Sequence, residues 1–330
     1  MNYRSAPKLV AIQHHIIASL EPDALPAQSA DTGKTGEGEC RLLHFNNDSK
    51  EGVFLADLIL RWISVEGVNP EDICILTRQR PDNYTHHLSA ELAQRGISAR
   101  FSIELQDLLS EPLTTAIVDI LRVCLVRRSP FSWERASALM LRLRGLDSDN
   151  GDAVKASKAF SSYLSSLRPG LTAATTEEDI ETIIRGIVSY LGLGEFRRNH
   201  EQYLQDDFLD RTITELAGYL SSYRMERSEW GVALDAFEGK DSIPIMTIHK
   251  SKGLEYHTVV VVGLEDYPFK NILHPDREED CAFFVAFSRA KKRVLFSSAN
   301  NRNGRWQSRA NVAKYDALLT SAGVVAENIA

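Results

Sequence analysis

A short loop in the last third of the chain concentrates side chains that can bind phosphate. Residues 247–255 read TIHKSKGLE and carry a hydroxyl, an imidazole, two ammonium groups, a glycine and a carboxylate. The side chains of Thr247, His249 and Lys252 can each bond phosphate oxygens, which positions a nucleic acid strand without reading its bases. A structural histidine satisfied within the fold is the alternative for His249. Gly253 predicts a backbone turn that a Cβ would block.

Arg289 is a second candidate, because it follows an amphipathic helical pattern. At about 100° per residue it falls at the edge of the apolar stripe, from where a long cation can reach past its own domain into a cleft. An ordinary surface arginine is the alternative. Asp276 and Glu279 have the spacing of a capping box and predict where the helix begins. The apolar stripe consists of Ala282, Phe283, Ala286, Phe287 and Ala290.

Basic residues cluster around the end of this helix although the whole chain is acidic. The net charge is −7, which taken alone argues against a nucleic-acid-binding protein. Between Val285 and Arg309 there is no acid, so this basic segment can either follow a phosphate backbone or form a solvated helix end and loop. Trp306, within it, can stack on a base or anchor packing. The basic residues are Arg289, Lys291, Lys292, Arg293, Arg302, Arg305 and Arg309.

Alternating strand and helix patterns predict an α/β unit that positions these residues. Thr258–Leu264 is a continuous apolar run rich in β-branched residues, which is typical of a strand buried on both faces of a parallel sheet. The alternation indicates a mostly parallel sheet with helices packed against it. We expect further strands at 41–45, 72–77, 97–101 and 294–298 and from Ile243, and helices at 8–20, 51–65, 84–95 and 311–319.

Residues 104–240 have helical patterns instead. We predict helices at 113–126, 133–143, 154–167, 179–191 and 203–223, with breaks at Gly145-Leu146-Asp147, Arg168-Pro169-Gly170 and Gly192-Leu193-Gly194. The sheet pattern resumes at Ile243. The expected organisation is therefore a discontinuous α/β domain, residues 1–103 plus 241–330, interrupted by a helical insertion domain, residues 104–240.

Other classes of protein and site lack their signals. No apolar run approaches 18 residues and the N-terminus has no signal pattern, so neither a membrane span nor export is expected. Cys40, Cys74, Cys124 and Cys281 are widely spaced, as in reduced thiols of a cytoplasmic protein. The pairs His14-His15 and His86-His87 have no cysteine or carboxylate at ligand spacing, so no metal site is predicted.

A phosphate-binding loop of the ATPase type is also missing. Gly33-Lys34-Thr35 is the only Gly-Lys-Thr, but Gln28 stands where the first glycine of GxxxxGK[ST] belongs, and no strand precedes it. No Asp-Glu pair that could hold Mg²⁺ follows a strand. These absences predict that the chain alone does not hydrolyse ATP.

Four segments resemble motifs of the superfamily 1 DNA helicases of the UvrD, Rep and PcrA type. TIHKSKGLEY, from Thr247, resembles their motif V, and FFVAFSRAKKRV, from Phe283, their motif VI. Asn2-Tyr3-Arg4-Ser5 resembles motif IV, and Glu71–Arg78 resembles the strand that follows it. The resemblance implies a RecA-like sheet with helices on both faces, in the second half of an ATP-dependent helicase or translocase moving 3′ to 5′ on DNA.

The resemblance also implies roles for single residues. Arg289 and Arg4 would meet the γ-phosphate of ATP, where a supplied arginine is worth on the order of 10³–10⁵ in rate. Tyr3 would stack on the adenine. Glu255 would bond the ribose hydroxyl, as carboxylates do in other nucleotide folds, with a salt bridge as its alternative role. Gly253 would belong to the same nucleotide site.

The implied partners are DNA and a domain that this sequence lacks. Thr247, His249 and Lys252, together with Arg78, would contact single-stranded DNA near duplex junctions. Mg²⁺ would be held by a missing N-terminal RecA-like domain, which would complete the ATP site. The alternative is a non-catalytic DNA- or protein-binding module derived from a helicase. A metabolic Rossmann enzyme is disfavoured, because no G-x-G-x-x-G follows a strand.

Overall fold

The computed structural model describes residues 5–20, 37–101, 105–146, 151–227, 229–270 and 277–329. Tyr3, Arg4 and Asp276 lie outside the described residues. The chain divides into two compact units: a sheet unit, Met1–Ile103 with Asp241–Ala330, and a helical unit, Glu104–Lys240. Among the described helices, none combines the length and hydropathy that a membrane-spanning segment needs.

An eight-stranded sheet forms the centre of the sheet unit. Its spatial order is β3-β4-β2-β5-β6-β1-β8, all parallel, with β7 added antiparallel to β6. The predicted α/β fold with a parallel sheet is therefore confirmed. The strands are β1 (Glu39–Asn47), β2 (Ile73–Thr77), β3 (Ser98–Phe101), β4 (Ser242–Thr247), β5 (Tyr256–Val262), β6 (Ala290–Arg302), β7 (Arg305–Trp306) and β8 (Ala326–Ile329).

Thirteen α-helices occur within the described residues. Five belong to the sheet unit: α1 (Pro7–Leu20), α2 (Asp48–Ser64), α3 (Pro81–Gln94), α12 (Glu278–Ser288) and α13 (Ala313–Ser321). The other eight belong to the helical unit: α4 (Leu105–Ser110), α5 (Pro112–Leu125), α6 (Pro130–Leu143), α7 (Gly151–Ala173), α8 (Glu177–Leu191), α9 (Leu193–Asn199), α10 (Asp206–Met225) and α11 (Trp230–Glu238).

Both faces of the sheet are covered by helices. Successive residues of a strand point to opposite faces, so Cys74 and Leu76 pack with α1, α12 and α13, whereas Ile73 and Ile75 pack with α2 and α3. Each central strand must therefore be apolar at every position. This two-sided burial accounts for the continuous apolar run of β5, and it confirms the predicted buried strand.

The helical unit has a core of its own, formed by apolar residues of α5, α8 and α10 with contributions from their neighbours. A capping box starts α8: the Thr176 hydroxyl accepts from the Asp179 amide, and the Asp179 carboxylate accepts from the Thr176 amide. The predicted break at Arg168-Pro169-Gly170 is wrong, because α7 continues through Pro169 to Ala173. The Trp230 indole donates to the Leu171 carbonyl at 3.0 Å and holds this last turn from outside.

The ends of α12 also differ from the prediction. Ala290 is buried but is the first residue of β6, so the apolar stripe of the helix ends at Phe287. Arg277 is the N-cap residue and makes no side-chain cap bond. The Glu279 carboxylate accepts from the Arg78 guanidinium at 2.7 Å. A buried ion pair therefore holds Glu279 in place of the predicted capping box.

Candidate functional site

The loop after β4 reaches from one edge of the sheet to the other. It leaves the carboxyl end of β4, where the Ile248 amide donates to the Thr77 carbonyl at 2.8 Å. It ends at Tyr256, the amino end of β5. Thr247 pairs with Thr77, whereas Tyr256 lies two residues before the partner of Ile73. At about 3.3 Å per strand residue, the loop spans roughly 20 Å along the sheet.

At the amino edge, this loop meets Arg289. The Arg289 guanidinium donates from Nη1 to the carbonyls of Leu254, at 3.1 Å, and Ser251, at 3.5 Å. Its Nε donates to the Val285 carbonyl at 3.2 Å. In return, the Tyr256 amide donates to the Arg289 carbonyl at 2.9 Å. The arginine and the end of the loop are thus hydrogen-bonded to each other through main chain and side chain.

Glu255 lies at the same edge. Its carboxylate is 3.8 Å from the Lys291 ammonium, two residues after Arg289. The first described residues of the chain arrive here too. The Ser5 hydroxyl donates to the Ala290 carbonyl at 2.9 Å, and the Ala6 amide donates to the Lys291 carbonyl at 2.7 Å. The amino edge therefore brings together three segments that are far apart in the sequence.

The first half of the loop lies toward the carboxyl edge. The Thr247 hydroxyl accepts from the Lys250 amide at 3.3 Å, while the side chains of His249 and Lys252 are exposed. Gly253 has φ +90°, and a Cβ built on it would meet no atom within 4 Å. The left-handed backbone, rather than crowding, is the reason for glycine here.

Arg78 is engaged inside the sheet unit. Its Nη2 donates to Glu278 at 2.6 Å and its Nε to Glu279 at 2.7 Å. The side chain is about one-fifth exposed, at 19%. Arg78 therefore joins the end of β2 to the first turn of α12, and any DNA contact must share a guanidinium that two carboxylates already hold.

A groove of about 640 Å³ opens at the carboxyl edge of the sheet, and the sequence alone does not identify most of its lining. Three segments bring cations and aromatic rings to it: Arg80, Tyr267, Lys270, Arg305 and Trp306. The Lys270 ammonium lies 4.5 Å from the centre of the Tyr267 ring. Trp306 is 75% exposed, so its predicted alternative as a packing anchor is wrong. The remaining lining residues include Asn83, Tyr84, Asp266 and Arg302. This set is recognisable only once the parallel sheet has placed the strand ends side by side.

Most of the predicted basic segment is neutralised by acids from elsewhere in the chain. Lys292 pairs with Glu37 at 2.7 Å. Arg293 pairs with Glu39 and Glu66 at 2.6 and 2.7 Å. Arg309 pairs with Asp316. The interpretation of this segment as one continuous phosphate-binding stripe is wrong, and Arg305 is the basic residue of the segment that lines the groove.

Arg302 forms a buried ion network beneath the groove. Its guanidinium bonds Glu51 at 2.7 Å and Glu265 at 2.8 Å, and all three side chains are nearly inaccessible to solvent. It also lies 5.0 Å from the centre of the Tyr84 ring. Burial raises the pKa of Glu51 although Arg302 opposes this shift. The network fixes the base of the hairpin formed by β6 and β7.

The fold also changes the interpretation of His86 and His87. The sequence places no carboxylate at ligand spacing from this pair, but α2 brings Asp48 to it, with 3.8 Å between Asp48 Oδ1 and His87 Nε2. The ligand atoms of the three side chains lie within 4.8 Å of one another. The reason given for predicting no metal site is therefore wrong, because the carboxylate comes from a distant segment.

Comparisons with known proteins agree with this architecture. The family model of the UvrD-like helicase C-terminal domain matches residues 1–185 and 193–301. ATP-dependent DNA helicase PcrA of Bacillus subtilis is 30% identical over 110 residues, 32% of this chain and 14% of that protein. DNA helicase II of Haemophilus influenzae is 30% identical over 123 residues, 36% of this chain and 16% of that protein.

A second kind of relative combines a helicase name with a nuclease name. An ATP-dependent helicase/nuclease protein of Lactobacillus helveticus is 28% identical over 232 residues, 59% of this chain and 19% of that protein. The chain thus matches less than one-fifth of the length of each of these relatives.

Proposed function

Because the chain belongs to the UvrD-like helicase C-terminal domain family, we propose that it forms the C-terminal half of an ATP-dependent DNA helicase or translocase that moves 3′ to 5′. An N-terminal RecA-like domain would complete the ATP site and hold the accompanying Mg²⁺. The relatives named as ATP-dependent DNA helicases support this proposal. In this arrangement the present chain provides one wall of the nucleotide site and part of the DNA path.

The observation that carries the proposal is the amino-edge cluster. Arg289 is hydrogen-bonded to the loop that carries Glu255, and Ser5 is bonded to the residue after Arg289. A bound nucleotide could therefore be reached by Arg289 at its γ-phosphate and by Glu255 at its ribose. Arg4 and Tyr3, which directly precede Ser5, are proposed as the second γ-phosphate contact and the adenine platform.

Arg289 has a physical reason to respond to the γ-phosphate. Its present acceptors at Ser251 and Leu254 are neutral carbonyls. Hydrogen bonds to a charged acceptor are roughly twice as strong as bonds between neutral groups. A γ-phosphate within reach would therefore draw the guanidinium out of the loop, and hydrolysis with phosphate release would let it return.

The crossover loop offers a route from this event to DNA. Its end, near Gly253 and Glu255, lies at the nucleotide edge, and its beginning carries Thr247 and His249. Lys252, exposed midway, adds a cation. A shift of the loop on release of Arg289 would change the phosphate grip at its other end. This is a domain closure driven by a ligand.

The groove at the carboxyl edge extends the proposed DNA path. Arg80, Lys270 and Arg305 supply charge for the phosphate backbone, and Tyr267 and Trp306 supply faces for base stacking. Such a combination of aromatic platforms and cations binds single strands with little sequence preference. Arg78 remains a proposed contact at the rim, where its carboxylate partners limit its strength.

The proposal is tested by comparing two proteins, the 330-residue chain alone and the same chain joined to an N-terminal RecA-like domain in one polypeptide. We expect ATP hydrolysis stimulated by single-stranded DNA in the second protein and none in the first. DNA binding without hydrolysis by the joined protein would favour the non-catalytic module. DNA-stimulated hydrolysis by the chain alone would refute the shared nucleotide site.

A further inference from the structure

The cluster of Asp48, His86 and His87 has the composition of a transition-metal site. Within the described ranges, it is the one group of three or more histidine, cysteine or acidic residues whose ligand atoms converge, all within 4.8 Å of one another. Two imidazoles and a carboxylate are the donors that zinc takes in catalytic and other open sites, leaving a position for water.

The packing of α2 on α3 creates this cluster. Gly52, one turn after Asp48, lies against the backbone of α3, and a Cβ there would stand 3.0 Å from His87 C and Leu88 N. The absence of a side chain at Gly52 therefore lets the two helices approach closely. This approach brings the first turn of α2, with Asp48, to the two histidines.

Hydrogen bonds orient two of the three side chains toward one another. His86 Nδ1 lies 3.2 Å from the Asn83 carbonyl, which can only accept, so Nδ1 carries the hydrogen and Nε2 is left as the donor atom for a metal. Asp48 Oδ2 accepts from the Asn303 amide at 2.8 Å, and Oδ1 is the atom nearest His87. Outer partners of this kind are the usual support of metal ligands.

The two imidazoles converge despite their positions in the helix. Consecutive helical residues point about 100° apart, yet the ring centres of His86 and His87 are 4.0 Å apart. Tetrahedral zinc needs ligand atoms about 3.3 Å apart. Because His86 is exposed, a small rotation of its side chain closes the remaining distance.

We propose that Asp48, His86 and His87 bind one Zn²⁺ ion, with water completing the coordination. The ion would fasten α2 to α3 and, through Asp48 and Asn303, would steady the hairpin of β6 and β7. That hairpin carries Arg305 and Trp306 into the groove. The site thus stabilises the groove from the side, and the proposal does not depend on the helicase function.

The test is calorimetric titration of the full chain with ZnCl₂, in a Cys281→Ser background so that the exposed thiol cannot bind the ion. We expect one ion per chain and a higher melting temperature with zinc. His86→Ala, His87→Ala and Asp48→Asn should each weaken binding at least tenfold. Asp48→Asn keeps an oxygen for the Asn303 amide, so it separates ligation from folding.

His15→Ala is the matched control, because His15 also follows another histidine on a helix but bonds the Ser321 hydroxyl at 2.7 Å. Its zinc affinity should equal that of the parent chain. Circular dichroism without metal establishes that each variant is folded. Absence of saturable binding at one equivalent, or unchanged affinity in folded His86→Ala or Asp48→Asn chains, would overturn the proposal.

Discussion

Replacing Gly263 by alanine should destabilise the sheet unit more than any glycine substitution in open space. Gly263 directly follows β5 and has φ +84°. A Cβ on this residue would lie 2.4 Å from Cδ1 and 2.7 Å from Cε1 of the Tyr84 ring. No side chain tolerates such distances, so either the strand end or the ring must move.

The magnitude follows from two contributions. The left-handed backbone costs a residue with a Cβ about 1–2 kcal/mol. Displacing Tyr84, which is buried and packs against the Arg302 guanidinium, adds an overpacking cost of about 1–3 kcal/mol. We therefore expect Gly263→Ala to lower the free energy of unfolding of the sheet unit by about 3 kcal/mol.

Gly96→Ala is the control, because Gly96 has φ +72° but a Cβ added to it would meet no atom within 4 Å. It should show the backbone cost alone. Since the two units need not unfold together, the assay is native-state hydrogen exchange of peptides covering β2 and β5, read by mass spectrometry. Equal losses of protection in the two variants would show that the contact with Tyr84 is not the cause.

Three further predictions concern the ion network, the groove and a buried histidine. Arg302→Leu should cost about 3–5 kcal/mol at pH 7, because it strands two buried carboxylates; since burial raises the pKa of Glu51, folded chains hold that proton more tightly than unfolded ones, and urea unfolding should show a smaller loss at pH 5. An equal loss at both pH values would contradict this. Trp306→Ala should weaken oligothymidine binding by about 5- to 150-fold in fluorescence anisotropy, whereas Trp133→Ala, in the helical unit, should leave it unchanged; similar effects would reject the stacking role. Burial, followed by a neighbouring arginine, lowers the pKa of His44 to about 4, so unfolded chains take up a proton first and stability falls as the pH drops from 6.5 toward 4. His44→Gln should flatten this dependence in urea unfolding, and an unchanged slope would refute it.

The fold class was predictable because burial on both faces leaves a pattern in the sequence. The apolar run of β5 and the helical stripes are local signals that directly reflect the layers. Elements held by distant contacts gave no such signal. The last turn of α7 persists beyond Pro169 with the Trp230 indole bonded to it, and β8 is a short polar strand that was not predicted at all. The Arg41 and Glu327 side chains, 2.7 Å apart, hold β8 beside β1.

The candidate site was predictable where its residues form a contiguous motif. The crossover loop and Arg289 were located from short stretches, and the fold places both at the amino edge. The groove could not be predicted, since Arg80, Lys270 and Trp306 come from three segments that meet only at the ends of parallel strands. Charge counting failed for the same reason, because the acids that neutralise the basic segment lie far away in the sequence.

The most direct measurement of the central claim is the rate of ATP hydrolysis by this chain joined to an N-terminal RecA-like domain, with and without Arg289→Ala. Arg185→Ala, a surface arginine of the helical unit that pairs with Asp210, is the control. The account predicts that Arg289→Ala lowers the DNA-stimulated rate by about 10³-fold or more while DNA binding is retained, and that Arg185→Ala has no effect. A joined protein that hydrolyses ATP at full rate without Arg289 would contradict it.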